Sequence, residues 1–128
     1  MIEAKDLLNL ENQNLFFKFL NLFRKGKVLE KSKLRLHYFI KNLEIGTENQ
    51  KEKFMYYYNI IPGNYKARTY TEIAKEYNCS PSNIRSTVRQ YLIWLKVKQP
   101  KEKMNEFKKI ISTTKYKNGK NINLNRLK

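Results

Sequence analysis

Cysteine and histidine are almost missing from this chain, which has one of each among 128 residues. A lone Cys79 forms no disulfide within a monomer, and one Cys with one His37 does not make a zinc set. No glycine-rich loop precedes a helical pattern, so the usual phosphate cradle is absent. Acids are scarce, with 11 Asp and Glu against 27 Lys and Arg. They lie scattered among lysines, which reads as solvated surface rather than as an acid–base pair. With no constellation of this kind, no catalysis and no cofactor or metal are expected. No apolar run approaches the roughly 18 residues needed to span a bilayer. The opening Met-Ile-Glu-Ala-Lys-Asp is not a secretory n-region, so a cytoplasmic location and no membrane partner are expected.

What the chain has in excess is positive charge: a formal net +16 and a pI of about 9.9. On a small chain such an excess points to nucleic acid, an anionic membrane or an acidic protein. Lys, Asn, Ile and Tyr are abundant, as an AT-rich genome would produce. Codon drift accounts for some of the lysine but not for the scarcity of acids.

The charge acquires a shape in residues 68–96. Thr69 and Glu72 form a capping box, predicting a helix from Tyr70 with Ile73, Ala74 and Tyr77 on one face. Asn78 and Cys79 make a turn, because Asn tolerates the left-handed conformation that ends many helices. Cys79 beside a helix N-terminus admits a redox role, but a turn also simply needs a small residue there. Ser80 and Pro81 open a second helix as N-cap and first helical residue. Ile84, Val88, Tyr91, Leu92 and Leu95 recur at helical spacing and predict a buried stripe. At about 100° per residue, Ser82, Ser86, Arg89 and Ile93 fall opposite, flanked by Asn83, Arg85 and Gln90. That face carries no acid. Arg forks onto guanine and Asn or Gln onto adenine, so these residue types suit base-edge readout. Two helices, a tight turn and a basic second helix are the pattern of a helix-turn-helix.

The segment resembles region 4 of bacterial sigma factors, through Thr69, Glu72, Ile73, Ala74, Lys75, Glu76, Ser80, Ile84, Arg85, Leu92 and Leu95. Tyr56-Tyr57-Tyr58 stands where that family has its preceding helix, so the resemblance spans residues 50–97. The resemblance implies promoter DNA and RNA polymerase as partners. The family's four main promoter-contact positions fall on Pro81, Ser82, Arg85 and Ser86, of which only Arg85 keeps the family's residue type. The polymerase-binding regions that precede region 4 have no counterpart, so a complete sigma factor is not expected. A second resemblance, to the effector domain of the sporulation-initiating response regulator, rests on Ile45-Gly46, Tyr56, Ile73-Ala74-Lys75, Asn78, Ser82, Ile84, Val88 and Arg89. Both imply a small helical DNA-binding domain.

The rest of the chain is read as helices that enclose this motif. Residues 11–25 carry Leu15, Phe16, Phe19, Leu20, Leu22 and Phe23, widened by Phe17 and ended by Gly26. So broad an apolar face is either central to the core or a dimer contact. Residues 32–44 form a second helix with Ser32 as its cap and Leu36, Phe39, Ile40 and Leu43 inward. Thr47 and Gln50 form another capping box, starting a helix with Phe54, Tyr57, Tyr58 and Ile61 that Pro62-Gly63 closes. It would pack across 70–77 and 81–97 as a tri-helical core. Met104, Phe107, Ile110 and Ile111 predict a short last helix. Asn118-Gly119 then marks either a basic, wing-like β-hairpin or a frayed tail. The expected fold is thus all-α: one helical domain over 1–112, the helix-turn-helix at 69–97, and a basic tail or hairpin over 113–128.

These features favour a sequence-specific double-stranded DNA-binding protein, a transcription regulator of a bacterium, phage or plasmid. Ser82, Asn83, Arg85, Ser86, Arg89 and Gln90 are the candidate base or near-phosphate contacts. Lys66, Arg68 and Lys96 are candidates for positioning phosphates, and Lys117 and Lys120 belong to the tail ribbon. An accessory or architectural role on plasmid or phage DNA, and an RNA-polymerase adaptor using the Leu/Phe face of residues 15–23, are the alternatives. A homodimer is left open, since palindromic recognition would need one.

Overall fold

The computed structural model describes residues 13–63 and 66–117. Among these there are six helices: α1 (Gln13–Arg24), α2 (Glu30–Lys41), α3 (Glu48–Tyr58), α4 (Tyr70–Tyr77), α5 (Pro81–Val97) and α6 (Lys101–Thr113). The fold is a small all-α bundle, as the helical periodicity predicts. The Asn118-Gly119 turn and Lys120 lie outside the described residues.

α3 is the central element. Thr47 Oγ1 accepts from the Gln50 N–H while the Gln50 side chain accepts from the Thr47 N–H, so both halves of the capping box are formed. α3 packs against α1, α2, α4 and α5. With α4 and α5 it makes the expected tri-helical unit, in which the Phe54 ring lies 5.0 Å from that of Tyr91. The helix closes earlier than Pro62-Gly63. Asn59 takes the left-handed conformation at φ 59°, and its side chain donates to Phe23 O at 3.3 Å. A buried Asn that satisfies a neighbouring carbonyl ends the helix better than the proline pair three residues on.

α2 also begins before the expected cap. Leu29 occupies the N-cap position with no side-chain hydrogen bond, and Ser32 lies inside the first turn, buried. Its hydroxyl is used elsewhere: Ser32 Oγ accepts the Lys115 N–H at 2.8 Å. The far end of α2 is closed by a buried lysine, Lys51, whose ammonium donates to the Lys41 and Leu43 carbonyls. A cation on the last carbonyls of a helix satisfies orphan acceptors and opposes the negative end of its dipole.

The Leu/Phe face of α1 is core. Phe16, Phe19, Leu20, Leu22 and Phe23 are buried, and Phe17 alone among α1's large apolar side chains described is exposed. α6 covers α2, with Phe107 stacked on Phe39 at 5.4 Å and edge-on to Phe16 at 6.1 Å. After α6 the chain runs back along the α1–α2 connection. Tyr116 forms an antiparallel bridge with Val28, and the Lys117 N–H donates to Lys27 O. Residues 114–117 are therefore a strap held by the body of the protein, with Thr114 and Tyr116 buried.

Candidate nucleic-acid interface

Local signals set where α5 begins. Asn78 sits at φ 53°, and the Cys79 N–H closes on Ala74 O at 3.0 Å. Ser80 Oγ then accepts the Asn83 N–H at 3.2 Å, with Pro81 in the first helical position. The preceding α4 carries the full Thr69–Glu72 capping box. Two capped helices joined by a left-handed residue fix the angle at which α5 leaves the turn.

Packing then fixes its rotation. Ile84, Val88, Tyr91, Leu92 and Leu95 are buried, and α5 packs on both α3 and α4. The Tyr91 hydroxyl donates to Ile45 O at 3.1 Å, anchoring the helix to the α2–α3 connection. Ser82, Asn83, Arg85, Ser86, Arg89 and Gln90 are consequently all exposed. Ile93 follows them on the same face at 49 % exposure. Among the described residues, none of those six polar side chains has a hydrogen bond or ion pair, and α5 contains no carboxylate. Their donors are unspent.

Arg85 and Arg89 act electrostatically on Tyr70. Burial first, and a hydrogen bond with Tyr57 second, push the Tyr70 phenol up to about 12, while the two guanidiniums pull it down. The phenol stays neutral at ordinary pH, so it does not cancel either positive charge.

The connector into α4 is held by arginine–tyrosine stacking. Tyr70 stacks on Tyr57 with ring centroids 4.2 Å apart and planes within 6° of parallel. The Arg24 guanidinium lies 4.0 Å over Tyr57 and donates to the Tyr57 and Arg68 carbonyls. α1 thereby holds the connector against α3. Sequence reading missed Arg24, whose only signal was a basic residue in the last turn of α1.

Of the positioning residues, Lys66 is exposed beside this connector. Arg68 is already engaged: its guanidinium pairs with Glu76 and lies 4.2 Å over the Tyr56 ring. Its charge organises the connector, and its side chain stays 36 % exposed. Lys96 is a correction. It is only 5 % exposed, its Nζ has no hydrogen-bond partner, and that atom sits 5.5 Å from the Phe16 ring. Desolvation lowers its pKa. The reason was in the spacing: position 96 follows Leu92 by four and so shares its inward face. Lys117 is exposed but lies on the strap beside Lys27, apart from α4 and α5.

Thr71, not singled out from sequence, and Lys75 line an open hollow of about 430 Å³ with Ala74, Asn78, Cys79 and Pro81. It lies between α4 and the start of α5, where the first helix of a helix-turn-helix crosses the DNA backbone.

No family model, curated protein or solved structure matches the chain. Among the described residues, no group of His, Cys, Asp and Glu is arranged to hold a metal, and no helix is long and apolar enough to cross a membrane.

Proposed function

We propose that this protein binds double-stranded DNA with α5 in the major groove and acts as a transcription regulator. The observation that carries this reading is the bare face of α5: six exposed polar side chains, two of them guanidinium-bearing, with no internal partner and no acid among them. Arg85 and Arg89 would fork onto guanine edges or adjacent phosphates, and Asn83 and Gln90 would pair with adenine. Ser82 and Ser86 would contact either base edges or phosphate oxygens, and Ile93 offers an apolar contact for a thymine methyl. Lys66, Thr71 and Lys75 would hold the backbone on the α4 side. The likeness of residues 50–97 to sigma factor region 4 supports the same use of the two helices.

Fluorescence anisotropy on duplex DNA tests the assignment. Arg85→Ala and Arg89→Ala should each weaken binding to a preferred sequence by about 1–3 kcal/mol, the cost of one bidentate contact. If both variants bind every duplex as the parent does, α5 is not the reading element.

An architectural role is the second reading, favoured by positive charge distributed well beyond α5. It predicts an extended footprint where a regulator protects one or two half-sites. The adaptor reading loses the Leu/Phe face as its docking surface, because Phe16, Phe19, Leu20, Leu22 and Phe23 are buried in the core.

A further inference from the structure

α2 and α6 enclose a second charged feature, an open groove of about 480 Å³ lined by Arg35, Tyr38, Asn42, Lys103, Glu106 and Lys109. Its floor is apolar, formed by Phe39 and Ile110. We propose that this groove is a second phosphate-backbone site, so that one molecule holds two DNA duplexes, one on α5 and one on α2–α6. The proposal rests on the DNA-binding reading above and extends it.

The residue types are the first reason. Arg, Lys, Tyr and Asn side chains are the groups that contact DNA phosphates without reading sequence. Arg35 is held in place, its Nη1 donating to Thr113 Oγ1 at 2.8 Å, which leaves its other donors for a ligand. Glu106 is the acid in the lining, and Lys103 sits 3.5 Å from it. Arg35 and Lys109 have no carboxylate partner among the described residues. Tyr38 lines the groove and is 56 % exposed, whereas Leu36, Phe39 and Ile40 on the same helix are buried.

The surroundings are the second reason. Lys31, Lys41, Lys101, Lys115 and Lys117 are all exposed on α2, α6 and the strap. Against them stand the exposed Glu30, Glu102 and Glu106 on the same two helices, so the lysines outnumber the acids and the field around the groove is positive.

The position is the third reason. α3 packs on both α2 and α5, whereas α2 and α5 share no extensive contact. The groove and the bare face of α5 therefore belong to different helix pairs, α2–α6 and α4–α5, with α3 packed between α2 and α5. One duplex reaching both would have to bend round α3, which a stiff duplex resists. A second duplex needs no such bend.

A bridging assay tests this with the full chain. A short duplex is fixed to beads, and capture of a second, fluorescent duplex is measured as protein is added. Binding of the fluorescent duplex alone is followed by anisotropy with protein in excess. The double variant R35E/K109E should lose capture by about tenfold or more while its anisotropy affinity changes less than about twofold, since two phosphate contacts are removed from one site only. R85A/R89A should lose affinity in anisotropy. Unchanged capture by R35E/K109E would overturn the proposal and assign bridging, if seen, to pairs of molecules using α5. A parallel loss of capture and of single-duplex affinity would also overturn it, by placing both surfaces on one duplex. If the parent protein binds no duplex at all, the DNA reading itself fails, and that outcome is visible in anisotropy before any capture is attempted.

Discussion

Gly46→Ala should destabilise the protein by about 3 kcal/mol, because three costs meet at one atom. The glycine sits at φ +76°, and a Cβ built there would stand 2.8 Å from Tyr91 Cε2 and 3.2 Å from Tyr91 Cδ2. The left-handed backbone costs an L residue about 1–2 kcal/mol. Overpacking against a buried ring costs about 1–3 kcal/mol, and these terms partly overlap. If the ring yields, the Tyr91 bond to Ile45 O at 3.1 Å goes with it, about 1 kcal/mol more. Gly63 supplies the control. It also has positive φ, +73°, but among the described residues nothing lies within 4 Å of its built Cβ. Gly63→Ala should therefore show the backbone term alone, about 1–2 kcal/mol. Urea unfolding followed by the fluorescence of Trp94, whose ring lies 6.1 Å from that of Tyr91, measures both. Because Tyr91 anchors α5, Gly46→Ala should also weaken DNA binding, and Gly63→Ala should not. Equal losses of stability in the two variants would refute the claim that Tyr91 clamps α5 against the residue 45–46 backbone.

The other predictions concern caps, burial and charge. Ser80→Ala should cost about 1 kcal/mol by removing the cap hydroxyl that accepts the Asn83 N–H and leaving only the Ser80 carbonyl at 3.1 Å, seen in the same urea titration. Glu72 has its pKa lowered first by the backbone hydrogen bond at Thr69, then by the Thr69 hydroxyl. Its folded pKa lies below its unfolded one, so its contribution is complete above the ordinary glutamate range and fades as pH falls through the folded value. NMR titration should show Thr69→Ala moving the Glu72 pKa back upward. Lys96→Met should be neutral or stabilising, by up to about 1 kcal/mol, because it removes a buried ammonium with no hydrogen-bond partner. It should leave DNA affinity unchanged; a loss would restore Lys96 to the interface.

Where local chemistry decides structure, the sequence was legible. The capping boxes at Thr69 and Thr47, the Asn78 turn and the Ser80-Pro81 start each rest on neighbours within three residues, and each is formed. The inward stripe of α5 follows from spacing alone, and so does the exposure of the six residues opposite it. The misreadings share a cause: a residue's local role was taken by a distant partner. Ser32 looked like a cap but serves Lys115, 83 residues away. Asn59 ends α3 ahead of Pro62-Gly63 because Phe23 O is within reach. The α2–α6 groove was invisible in the same way, since Arg35 and Lys109 meet only when two helices far apart in sequence pack together.

The most direct measurement is a selection from random duplex DNA at near-physiological salt, followed by salt titration on the winning and a scrambled sequence. The account predicts a defined motif and an affinity gap between the two duplexes that persists as salt rises, with the gap closing in R85A/R89A. No motif, and one steep salt slope shared by both duplexes and by the variant, would contradict it, and would mean that charge alone holds the DNA.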